Sequence, residues 1–192
     1  AESIYSTENL PQIEKIDREL KTAESRYQIT ENGISPRWLP TKGLKPYLHT
    51  SDEHTENGYS TDIANEVKIM SDKREKKMEM LETEIPEPIY FGNNNAEIIF
   101  VGSGSTKNAV LDTILLQNDI AYLSYEYIYP LKTETLIKLA NTGKRLILIE
   151  NNQTGQLGRL IKEKCGYTFK EKLLKYDGRP FFVDDILDFL NR

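Results

Sequence analysis

From residue 96 onward the chain alternates between apolar runs too short for a helix and segments whose apolar residues recur at three- and four-residue spacing. A run such as Leu146-Ile147-Leu148-Ile149 has no polar position to turn toward water, so a strand built from it must be covered on both faces. The spacing predicts strands at 97–101, 120–128, 145–149 and 169–175, with helices at 106–117, 133–142, 154–164 and 183–190. Strand–helix alternation of this kind folds as a mostly parallel sheet with helices on both faces, an α/β class. The strand at 169–175 sets Phe169, Glu171 and Leu173 against Lys170, Lys172 and Leu174, which suits an edge with one wet side.

The first 92 residues read differently. A helix is expected around 14–25, where Ile13, Ile16, Leu20 and Ala23 share one face, and another over 62–84, ended by Pro86 and Pro88. Between them Pro36, Pro40 and Pro46, with Gly33, Gly43 and Gly58, interrupt every regular pattern. A stretch that long without periodicity is unusual in a compact domain unless it packs on something else. The expected organisation is therefore an irregular, partly helical extension over 1–92 and an α/β domain over 93–192. Charge divides in the same place: the extension is strongly acidic, the domain is close to neutral, and the whole carries −5. Hydrophobic residues are only 38% of the chain, so apolar residues of the extension need a partner to cover them.

That balance excludes nucleic acid as the main partner, since phosphate contact supplies most of such affinity. No apolar stretch approaches the roughly 20 residues that span a bilayer, no signal peptide is expected, and a reducing cytoplasm is the expected location. Cys165 is the single cysteine, which rules out an internal disulfide and a cluster held by this chain alone.

Polar residues collect where strands hand over to helices, the position at which open α/β sheets place ligands and partners. Gly102-Ser103-Gly104-Ser105-Thr106 follows the first strand, and its amides can face an anion. The dinucleotide pattern needs a third glycine where Lys107 stands, and no Gly-Lys-Ser/Thr closes a phosphate loop. A tight turn with Thr106 as the helix cap is preferred, leaving Gly102, Gly104, Ser105 and Thr106 as weak anion-site candidates. The run Glu150-Asn151-Asn152-Gln153-Thr154-Gly155-Gln156 is richer. Thr154 can cap the next helix, while Gly155 and Gly158 remove side chains and would admit another backbone. Glu150, Asn151, Asn152, Thr154, Gly155 and Gln156 are accordingly interface candidates. Asp177 and Arg179, which either brace a turn or meet a partner, and Trp38 join them. His49 and His54 lie among Asp52, Glu53 and Glu56 without a scaffold to fix a metal geometry. No metal ligand and no catalytic residue is assigned.

Several of these stretches, in order, resemble the alpha subunit of 2-oxoacid:ferredoxin oxidoreductases, over nearly the whole chain. The resemblance is carried by SRYQITENGISPRWLP (25–40), TSDEHTENGYSTD (50–62), VGSGSTKNAV (101–110), ENNQTGQLGRL (150–160) and KYDGRPF (175–181). It implies the fold of the transketolase C-terminal domain and an enzyme that converts a 2-oxoacid to acyl-CoA, CO2 and reduced ferredoxin. The whole enzyme would use thiamine diphosphate, magnesium, iron–sulfur clusters and coenzyme A. The family's Tyr-Pro-Ile-Thr-Pro-type motif, diphosphate-binding Gly-Asp-Gly segment and cluster cysteines are absent from this sequence. The resemblance therefore implies a scaffold and subunit-interface domain that binds none of these cofactors by itself. Its partners would be the remaining alpha-chain domains and the beta subunit, with ferredoxin as electron acceptor. The alternative reading from the residues is a stand-alone α/β module for an anion or small ligand.

Overall fold

The computed structural model describes residues 25–37 and 46–191; Trp38 and all but the last residue of the helix expected over 14–25 lie outside them. The chain divides into two compact units, residues 1–79 and 80–192.

In the second unit the buried apolar runs become five strands: β1 (Ile89–Gly92), β2 (Ile98–Ser103), β3 (Ile120–Tyr125), β4 (Arg145–Glu150) and β5 (Glu171–Leu174). They lie in the order β1-β3-β2-β4-β5. β2, β3, β4 and β5 are mutually parallel, and β1 runs antiparallel along β3. The connecting helices are α2 (Thr106–Leu116), α3 (Glu134–Ala140) and α4 (Gln156–Cys165), and α5 (Val183–Leu190) follows the last strand; they are numbered after α1 (Ala64–Glu84), which crosses from the first unit.

Both faces of the sheet are covered, and strand residues divide between them by period two. Ile99, Val101, Leu123, Leu146 and Leu148 pack with Leu136 of α3 and Leu157 and Ile161 of α4. Phe100, Ile120, Tyr122, Ile147 and Ile149 pack with Ala109 and Val110 of α2 and Ile186 of α5. The expected α/β class with an edge strand is what forms.

Two differences from the expected boundaries bear on the edge of the sheet at β1 and β3. The sheet takes in Ile89–Gly92, ahead of residue 93, because this short segment pairs along β3 from Ile89 opposite Ser124 to Gly92 opposite Ala121. The third strand ends at Tyr125 rather than at 128: on one side Pro88, which has no N–H to donate, precedes Ile89 opposite Ser124, and on the other β2 ends at Ser103 opposite Tyr125.

In the first unit the described loops are tied to α1, whose span matches the expected helix. Lys73 is buried and donates to the Tyr27 carbonyl at 2.6 Å and to the Ser35 hydroxyl at 2.5 Å. Arg74 forks onto the Glu53 carboxylate at 2.9 and 2.5 Å. Gly33 lies so close to α1 that a Cβ there would sit 2.5 Å from the Lys73 carbonyl oxygen. The described parts of the irregular stretch, 25–37 and 46–61, are thus held by side-chain and backbone contacts rather than by ladders.

Candidate functional site

The chain leaves β2 for β3 on one side and returns for β4 on the other, so the strand order reverses between β2 and β4. The crevice beyond the carboxyl ends of two such strands is where open α/β sheets bind ligands. The two polar runs singled out in the sequence stand at this place. One joins β2 to α2, the other joins β4 to α4, and the Ser105 hydroxyl donates to Asn151 Oδ1 across them at 3.3 Å.

Most of the polar capacity here is spent internally. Glu150, at the last position of β4, is only 6% exposed. Its carboxylate accepts from the buried amides of Leu157 at 2.9 Å and Gly158 at 3.3 Å, and from the Asn152 side-chain amide at 2.8 Å. Asn152 Oδ1 in turn accepts from the backbone of Thr154, Gly155 and Gln156 at 3.2, 2.7 and 3.3 Å. A carboxylate and an amide from the strand end therefore satisfy the first turn of α4, the four N–H groups that a helix leaves unpaired. Thr154, expected to cap this helix, does not: the residue flanking its start is Gly155 in the left-handed region, and no side chain of that residue caps it.

The glycines of this turn serve the chain's own core. A Cβ on Gly158 would stand 2.6 Å from Leu148 Cδ2, and one on Gly155 3.1 Å from the same atom. They admit Leu148 rather than leave an opening. Asn151, Gln153, Thr154 and Gln156 remain exposed on the outer surface, whereas Glu150 and Gly155 are buried.

The β2–α2 turn is likewise built by packing. A Cβ on Gly102 would stand 2.7 Å from the Ile149 carbonyl oxygen on the adjacent strand. Thr106 is not the cap but the first helical residue. Its hydroxyl is buried, donates to the Ser103 carbonyl at 3.2 Å and shares a 3.0 Å hydrogen bond with the Tyr122 hydroxyl. Ser105 flanks the helix without a side-chain cap bond. Lys107 is held by Glu126 at 2.9 Å, and that contact, with the Ser124 hydroxyl, keeps the Glu126 carboxyl below the usual range. Glu126 and Glu150 thus bring two negative charges to the carboxyl ends of the strands, and Lys107 is already engaged, an arrangement unfavourable to an added anion.

At the far edge Arg179 pairs with Asp177, which holds that carboxyl below its usual range, so the pair braces the turn. The last helix starts at Val183, as expected, with Asp185 accepting from the Phe182 amide at 2.8 Å. In the first unit Tyr27 Oη meets His49 Nδ1 at 2.5 Å, and its ring lies 3.9 Å from that of His54. Among the described residues no group of three or more His, Cys, Asp or Glu is arranged to hold a metal ion. The Cys165 thiol is half-buried and donates to the Ile161 carbonyl at 3.2 Å. No helix among the described residues is long and apolar enough to cross a membrane.

Sequence reasoning missed that Glu150 reaches seven residues ahead and that Lys73 is buried. Neither leaves a periodic signal, although a carboxylate ending an otherwise apolar strand is a hint that something must satisfy it.

No family model matches the chain. Over 166 residues it is 32% identical to subunit alpha of 2-oxoacid:ferredoxin oxidoreductase 1 from Sulfurisphaera tokodaii, a match covering 84% of this chain and 26% of that subunit. Over 168 residues it is 31% identical to the corresponding subunit from Saccharolobus solfataricus, with the same coverage. The chain spans about a quarter of the length of the curated relatives it matches. Among solved structures, the 2-oxoglutarate:ferredoxin oxidoreductase from Magnetococcus marinus, with 2-oxoglutarate, coenzyme A and succinyl-CoA bound, superimposes with a TM-score of 0.68. That match is 22% identical and covers 87% of this chain and 30% of the other; it is a likeness of fold.

Proposed function

We propose that this chain, a relative of the alpha subunits of 2-oxoacid:ferredoxin oxidoreductases, is the C-terminal part of such a subunit and acts as its scaffold and subunit-interface domain. The observation that carries this reading is the match itself: 84% of the chain aligns to about a quarter of an alpha subunit. The whole enzyme would oxidise a 2-oxoacid with coenzyme A, releasing CO2 and acyl-CoA and passing electrons to ferredoxin in the cytoplasm. Thiamine diphosphate with magnesium and the iron–sulfur clusters would be held by the remaining alpha-chain domains and the beta subunit.

The residues of this chain agree with a supporting role. One cysteine cannot ligate a cluster of the four-thiolate kind. The N-terminus of α4, one of the two helix starts at the crevice, already faces the Glu150 carboxylate. The polar crevice is internally satisfied, which suits a rigid element presented to neighbouring domains. The extension ahead of the sheet, with its apolar residues Ile34 and Leu48 at 39% and 49% exposure, would pack on those neighbours.

The test is depletion. An antibody to this chain should remove coenzyme A-dependent, 2-oxoacid-driven ferredoxin reduction from an extract of its source, and the eluted assembly should restore it. An extract that keeps its full activity after complete removal of the chain would refute the assignment.

A further inference from the structure

Beyond Tyr125 the chain leaves the sheet, and three large residues in succession turn outward: Tyr127 is 53% exposed, Ile128 51% and Tyr129 72%. The antiparallel register places Ile89, itself 45% exposed, opposite Ser124 and so beside them. Between the two segments runs a shallow groove lined by Pro86, Glu87, Pro88, Ile89, Glu126 and Tyr127. Its two carboxylates are already engaged, Glu87 half-buried and Glu126 at the surface. Glu87 accepts from the Thr135 amide at 3.1 Å and hydroxyl at 2.8 Å, and Glu126 is taken by Lys107 and Ser124. Beside the paired Glu126, the exposed side chains are large and apolar or aromatic, the composition of a contact that stays formed rather than of a transient charged encounter.

We propose that the ridge of Tyr127, Ile128 and Tyr129, with the groove beside it, docks the part of the alpha subunit that this chain does not contain. The inference rests on the functional reading above. That reading supplies the occupant, because about three-quarters of the relatives' alpha subunit lies outside the matched segment. Interfaces that stay formed within an assembly are the more apolar class, with aromatic residues enriched. A second copy of the chain, or a charged electron carrier, is a different outcome of the same experiment.

The experiment is hydroxyl-radical footprinting, read by mass spectrometry, on the assembly captured from its source and on the free 192-residue chain. Tyr127, Ile128 and Tyr129 should lose most of their reactivity on assembly, while Leu115 and Leu116, exposed at the other end of α2, keep theirs. Cross-links from the ridge should reach peptides of the alpha remainder. The paired variant Tyr127→Glu and Tyr129→Glu should keep the wild-type far-UV spectrum and unfolding midpoint but lose assembly; Leu115→Glu should assemble normally. Undiminished reactivity of the ridge in an assembly that does contain the alpha remainder overturns this inference and leaves the functional reading standing. Cross-links only to a second copy or to a ferredoxin also overturn it. An assembly without any alpha remainder sinks the functional reading, and the inference falls with it.

Discussion

If Glu150 is the cap of α4 rather than a group held out for a partner, replacing it must damage the isolated chain. Glu150→Leu keeps the stem and removes both oxygens. It orphans the amides of Leu157 and Gly158, both buried, at about 1–3 kcal/mol each. It also removes a negative charge from a helix N-terminus, worth about 0.3–2 kcal/mol. Against this stands relief from burying a carboxylate, so the expected net loss is about 3 kcal/mol. Glu150→Gln retains an acceptor for Leu157 but turns a donor or nothing toward Gly158, and should cost about 1–2 kcal/mol. Asn152→Ala frees three amides that lie nearer the surface, where water replaces Oδ1, and should cost about 1 kcal/mol. Denaturant unfolding followed by circular dichroism gives the order Leu, then Gln, then the Asn152 variant. Amide exchange at Leu157 and Gly158 gives the local reading. A Glu150→Leu chain within about 0.5 kcal/mol of wild type, with unchanged protection at those two amides, would refute the capping argument and return Glu150 to the set of partner-facing residues.

Four further outcomes follow from the same contacts. Gly158→Ala gains helix propensity of about 1 kcal/mol and spends it against Leu148, so its unfolding midpoint should barely move, while Gly158→Val should lose about 2 kcal/mol to overpacking. Arg74, through its hydrogen bonds, holds the Glu53 carboxyl down at about 2 from an ordinary 4.5. The stabilisation is therefore complete above pH 4.5 and lost as pH falls toward 2. Arg74→Ala should return the Glu53 titration, followed by NMR, to its ordinary range at a cost under about 1 kcal/mol. Burial holds the Lys73 ammonium below the ordinary lysine range. Lys73→Met strands the Tyr27 carbonyl, should cost about 1–3 kcal/mol, and should speed proteolysis within 25–37; an unchanged cleavage rate would count against the clamp. Inorganic phosphate titrated into the chain should leave the amides of 104–107 and 154–158 unshifted; saturable shifts there would revive the small-ligand reading.

The strands that the sequence reveals are those with no polar face. Leu146 to Ile149 and Ile98 to Val101 can only be covered on both sides, so their place in a sheet is decided locally. The errors fall where the deciding atom is far along the chain. Ile89 to Gly92 is too short to announce itself and becomes a strand only because β3 is there to pair with it. Tyr127 to Tyr129 has the same strand-favouring composition as Ile120 to Tyr125 and continues the run without a break. It leaves the sheet because the neighbouring strand has ended, a fact that no residue between 120 and 130 encodes.

The candidate site shows the same division between what a residue offers and what answers it. Glu150, Asn152, Gly155 and Gly158 mark a place where polar and small residues gather at a strand end, and that much was legible. Whether such a place is open to a ligand depends on where its hydrogen bonds go. Here Glu150 and Asn152 fold forward onto the first turn of α4, and the glycines receive Leu148 from the strand beneath. The surface proposed to take a partner is instead an apolar run of three successive exposed residues, Tyr127 to Tyr129, which the sequence presents as one more strand segment. Where buried polar groups are mutually satisfied and large apolar side chains stand in water, association lowers free energy through the latter. On that argument the double substitution at Tyr127 and Tyr129, not one at the polar strand ends, is the change expected to separate assembly from folding.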